Sequence, residues 1–107
     1  MVNVLPTLEA KRMNLHTVLK GLMSNGRVYY QPDENVRLSY PCIIYDFNSL
    51  NTEYANNSTY FQMYQFSITL ITTDATDSTF DTLNQLFNFD NKFISDDLTH
   101  FNFKTTI

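Results

Sequence analysis

A chain of 107 residues with 43% hydrophobic, 15% aromatic and 17% charged residues carries enough apolar surface for one core and fits one domain rather than two. Seven basic against eleven acidic residues leave a net charge of −4, which argues against a broad phosphate-neutralising surface for nucleic acid. One cysteine, two glycines and no Cys/His ligand spacing exclude an intrachain disulfide, a Gly-rich phosphate loop and a zinc framework.

Residues 1–6 lack a basic segment followed by a long apolar one, and no apolar run nears the roughly 18 residues of a membrane helix. The expectation is a chain made in the cytoplasm with no membrane partner. Thr7 precedes Leu8, Leu15, Val18, Leu19 and Leu22, which return at helical spacing. The pattern predicts a helix over 7–23, capped by Thr7 and released at Asn25-Gly26. Residues 27–31 read as a short strand between Gly26 and Pro32. The apolar run 40–47 is a second strand, with Pro41 at its start because proline cannot donate to a ladder.

Residues 48–59 are rich in Asn, Ser and Thr, side chains that compete for backbone hydrogen bonds, and predict a long projecting loop. Tyr64, Phe66, Ile68 and Leu70 alternate with polar residues, so 60–73 is a third strand. Ser78-Thr79-Phe80-Asp81 has the form of a capping box before the helical face of Phe80, Leu83, Leu86 and Phe87. Residues 92–95 and 101–107 predict two strands around a turn at 96–99, with Phe101, Phe103, Thr105 and Ile107 on one face. The order α-β-β-β-α-β-β implies an α+β fold of one domain over 1–107: a mostly antiparallel sheet of about five strands with two helices on one face.

No motif carries chemistry. His16 and His100 stand apart from any Cys, Asp or Glu at a ligand or nucleophile spacing, and Cys42 sits in an apolar strand where an inert buried thiol is the usual outcome. Asp74, Asp77 and Asp81 surround a helix start, where carboxylates cap free amides. Asp96 and Asp97 suit a solvated turn rather than a catalytic pair. The tyrosines Tyr29, Tyr30, Tyr40, Tyr45, Tyr54, Tyr60 and Tyr64 suit core packing and protein interfaces better than base stacking in an acidic chain. The expectation is no catalytic residue, no cofactor and no metal.

The strings Val28-Tyr29-Tyr30-Gln31-Pro32, Leu38-Ser39-Tyr40-Pro41-Cys42-Ile43-Ile44-Tyr45, Tyr54-Ala55-Asn56-Asn57 with Tyr60, and Asp96-Asp97-Leu98-Thr99-His100 together resemble a family of small tailed-bacteriophage proteins, the tail completion or tail terminator proteins. The resemblance spans roughly residues 8–104 as ordered blocks, which are more specific than any single motif. It departs at 71–78, where Thr76 stands in place of the proline that relatives carry. It implies a virion protein of the neck, a homo-oligomer in a hexameric ring that caps the tail tube and meets a head-side connector or stopper protein. DNA would pass through such a ring without sequence-specific binding, and no enzymatic activity is implied. A stopper or head-tail adaptor shares the same size and composition, and a small enzyme is the alternative from another class. In the ring reading, the segment 49–58 is expected to pack on a neighbouring subunit or ring. Its contact residues would be Leu50, Asn51, Thr52, Glu53, Tyr54, Asn56 and Asn57, with Leu50 and Tyr54 as apolar anchors.

Overall fold

The computed structural model describes residues 7–23, 25–54, 60–74 and 76–107. Thr7 takes an extended conformation and its hydroxyl oxygen accepts the Ala10 amide, so helix α1 (Leu8–Leu22) begins where the sequence places its cap. Gly26 turns the chain with φ +68°, a conformation that disfavours a side chain. Strand β1 (Val28–Tyr30) follows and pairs parallel with β2 (Cys42–Tyr54), and Pro41 immediately precedes β2. Strand β3 (Tyr60–Thr72), helix α2 (Ser78–Leu86), β4 (Asn88–Ser95) and β5 (Leu98–Thr106) complete a sheet of order β1-β2-β3-β5-β4, antiparallel except at β1.

One sheet face holds the core. The registers Ile43↔Leu70, Tyr45↔Ile68 and Phe47↔Phe66, continued by Ile68↔Phe103 and Leu70↔Phe101, line up these side chains. Leu15 and Leu19 of α1 and Leu83 of α2 join that same cluster, so both helices cover this face. The α+β arrangement expected from the sequence is the one observed. Phe80 adds an aromatic seam under α2, its ring 4.7 Å from Phe101 and 5.3 Å from Phe89. The other face bears no helix and is polar at its centre, where Thr69 donates to Asn102 and Asn102 to Asn91, both at 2.7 Å.

Four local expectations are corrected. Residues 48–54 are not loop: β2 continues through them, with Ser49 opposite Gln65 and Thr52 opposite Gln62. Residues 55–59 lie outside the described residues. Helix α2 is capped by Asp77, whose Oδ1 accepts the Thr79 amide, not by Ser78, because Thr72 Oγ1 holds the Asp77 carboxylate from its other oxygen. The final turn is two residues, Asp96 and Asp97, both at positive φ (52° and 63°), so Leu98 and Thr99 belong to β5. Such a pair matches the twist of a tight hairpin and suits aspartate better than most residues. Finally, β4 starts at Asn88, four residues before the expected strand.

Cys42 fulfils its structural role. It is fully buried, and burial pushes its thiol up to about 11. At pH 8 only about a thousandth of it is thiolate. Native protein should therefore resist iodoacetamide, as followed by intact mass, and react fully once unfolded in guanidinium.

Candidate functional site

Beneath α1 the Tyr45 hydroxyl lies 2.7 Å from His16 Nδ1 and accepts from Arg12 Nη1 at 3.4 Å. Arginine only donates, so the Tyr45 oxygen accepts from Arg12 while the same hydroxyl hydrogen-bonds His16 Nδ1, a contact open to either imidazole tautomer. Burial lowers the His16 pKa, and the nearby Lys20 and Arg12 charges lower it further. The Arg12 guanidinium lies 5.0 Å from the Tyr30 ring centroid and is clamped by Glu9 at 2.7 Å. Tyr45 is wholly inaccessible, and the cluster fastens α1 to β2.

On the other face His100 stacks on Phe93 at 4.4 Å and 9°, and burial again lowers its pKa, opposed by Asp96. Both imidazoles thus bind protons more weakly folded than unfolded, and the unfolded chain takes up more protons as pH falls through about 6.5. Stability should fall from pH 7.5 to 5.5, seen as a lower melting temperature, and flatten below the folded-state values. His16→Gln, which keeps an acceptor for Tyr45, should remove part of that slope.

A cleft of about 320 Å³ opens between α1 and the end of the chain, lined by Lys11, Asn14, Leu15, Val18, Phe87 and Ile107. Val18 is 47% exposed at its rim, although its spacing assigns it to the helix's apolar stripe. Among the described residues, Lys11 is the one charged side chain of this lining, and no set of convergent acids, bases or nucleophiles meets it. No group of His, Cys, Asp and Glu among the described residues could hold a metal, and none of their helices is long and apolar enough to cross a membrane.

The largest geometric departure from a plain layered domain is the β2–β3 hairpin. Strand β5 accompanies β3 only from Thr72 to Gln65, and Ile107 extends this by exchanging backbone hydrogen bonds with Tyr64. Strand β1 accompanies β2 only over Ile43–Tyr45, after which Gln31 Oε1 accepts the Phe47 amide. Beyond those points the hairpin continues as a two-stranded ribbon, and the molecule measures 53 × 24 × 24 Å. A bulge between Phe47 and Ser49 marks the ribbon's root.

The ribbon carries the expected contact residues. Leu50 is 43% exposed opposite Tyr64, Asn51 is exposed, and Thr52 is half-buried with its hydroxyl accepting from Gln62 Nε2 at 3.5 Å. Glu53 and Tyr54 are joined by their backbones to Phe61 and Tyr60. Asn56 and Asn57 lie outside the described residues. Five of the seven are therefore brought together on one strand.

A second surface escaped the sequence reading. Every residue of β4 is exposed, including Phe89, Phe93 and Ile94, the last at 69%. Adjacent Phe93 and Ile94 point to opposite sheet faces, so on an edge strand they could not both reach a core that lies on one face. That doublet was the available signal.

No family model matches the chain, and no curated protein matches its sequence.

Proposed function

We propose that the chain is the subunit of a ring that ends a bacteriophage tail tube and joins it to the head connector. The observation that carries this reading is the projecting β2–β3 ribbon, which holds Leu50 43% exposed outside the core. A projecting ribbon that offers an apolar side chain among polar ones suits a surface that a partner covers. The ordered sequence blocks over 8–104 that resemble tail completion proteins support the same role, with six copies as the implied number. The partners are further copies of this chain, the tail tube protein and the head-side connector or stopper, with the virion neck as its place.

A density map of the assembled particle tests the reading. A closed ring of this chain between tube and connector is expected. A single copy in the particle, or a ring elsewhere in it, overturns it.

A further inference from the structure

We propose that the free edge of β4 in one copy pairs antiparallel with the ribbon edge of β2 in the next, joining copies into a continuous sheet. This rests on the ring reading above and names the surface that receives the ribbon.

Three observations lead there. First, the two free edges belong to opposite sides of the sheet, because β4 ends the strand order and β2 is covered by β1 only over Ile43–Tyr45. A contact between unlike edges is heterologous, and repeated rotation carries it past a dimer, closing into a ring where the angle divides the circle and running on as a filament where it does not. Strand directions agree: β2 to β3, β3 to β5 and β5 to β4 are each antiparallel. A following β2 beside β4 is therefore antiparallel too, with the helix-bearing faces kept on one side.

Second, each edge offers a regular stretch immediately after a bulge. The irregularity between Phe47 and Ser49 precedes residues 49–53, and that between Phe89 and Asn91 precedes residues 91–95. Bulges end pairing and re-aim the strand beyond them, so both stretches are the parts of their edges fit to accept a ladder. The contact at 49–53 also clears β1, and it displaces the next copy along the strands as well as sideways. Strands then run oblique to the ring axis, as they do in closed barrels.

Third, the apolar side chains select the register. Ile94, 69% exposed, and Leu50, 43% exposed, both lie on the helix-bearing face, since Ile94 is opposite Thr99 and Leu50 is opposite Tyr64. Placing Ile94 across from Leu50 sets Phe93 across from Asn51 and Lys92 across from Thr52, and every pair then shares a face. A one-residue slip would send Ile94 and Leu50 to opposite faces. Soluble proteins blunt long apolar edges because these template strand addition. Asp90 sits at the bulge, and along the regular stretch 91–95 Lys92 is the one charge on the β4 edge, beside exposed Phe93 and Ile94; a fixed partner is the use that explains it.

The test is intermolecular cross-linking of Leu50→Cys/Ile94→Cys, with Cys42 buried and silent. Protein at high concentration and assembled particles are treated with a short bis-maleimide and run under denaturing conditions. The double variant should give a ladder of dimers, trimers and longer species up to the closed ring, while either single variant stays one chain long. Dimers from Ile94→Cys alone mean twofold pairing of β4 with itself and overturn the proposal. Rings seen by native mass spectrometry without a ladder overturn this contact and leave the ring reading standing. No oligomer in solution or in the particle overturns both. Ile94→Lys should abolish the oligomer while leaving the melting temperature of the single chain within a few degrees, and an intact oligomer there also overturns the contact.

Discussion

Leu19→Ala is expected to destabilise the chain by about 3 kcal/mol, within the range for emptying a buried leucine site. Leu19 is fully buried, and it and Leu15 are the buried residues of α1. The helix therefore docks through two side chains, helped by the half-buried Leu8 and Leu22 and by the Tyr45 cluster. Removing one opens a void in the cluster that also holds Ile43, Tyr45 and Ile68, and the sheet beneath, hydrogen-bonded strand to strand, cannot collapse to fill it. Against a typical total of about 5–15 kcal/mol for a domain, the loss should lower the melting temperature by roughly 15 °C. Val18→Ala, one position away but 47% exposed, should change it by less than about 0.5 kcal/mol. Urea melts of both variants check this, and equal losses would mean that α1 is not seated as described.

The contrast between Leu19 and Val18 also marks how far sequence reading reaches. Helical spacing groups Leu15, Val18, Leu19 and Leu22 alike, yet a helix lying on a sheet buries a narrow stripe, and Val18 falls on its rim. The alternation of Tyr64, Phe66, Ile68 and Leu70 was legible because β3 is central in the sheet and has one face in the core. All four are buried. Phe101, Phe103 and Thr105 were legible for the same reason.

Where that reason is absent, the reading failed in a regular way. Residues 48–52 and 88–91 are strand without a buried face, so nothing selects apolar residues at every second position. The polar content of the ribbon then reads as loop. Its strand character comes instead from cross-strand partners, with Ser49 Oγ donating to Gln65 Oε1 at 3.0 Å and Gln62 donating to Thr52. Those pairs are 16 and 10 residues apart in the chain, beyond any local pattern. The proposed contact segment is thus a paired strand over 49–54 where its composition reads as loop, and the β4 edge proposed to receive it carries no alternation that marks it, only the Phe93-Ile94 doublet.

Removing the ribbon is expected to give the largest functional effect with the least cost to the fold. A variant lacking residues 52–62, with Asn-Gly inserted between Asn51 and Met63, keeps the Asn51↔Met63 pair and closes it with a turn suited to a two-residue hairpin. Among the described residues, the core members of these strands all survive: Ile43, Tyr45 and Phe47 of β2 and Tyr64, Phe66, Ile68 and Leu70 of β3. Shortening a loop changes closure entropy only slowly, by about 0.6 kcal/mol per doubling of length. The melting temperature should therefore stay within a few degrees of the parent, with an unchanged far-ultraviolet spectrum apart from the lost ribbon. On the proposed neck role, joining of heads to tails should fall to background, read as separate heads and tails by electron microscopy and as lost infectivity in a complementation assay. Leu50→Ala/Asn51→Ala, which leaves the ribbon in place, should give an intermediate loss. Normal yields of joined particles from the shortened chain would remove the ribbon from the joining mechanism, and unfolding of that chain would show that the ribbon belongs to the core instead.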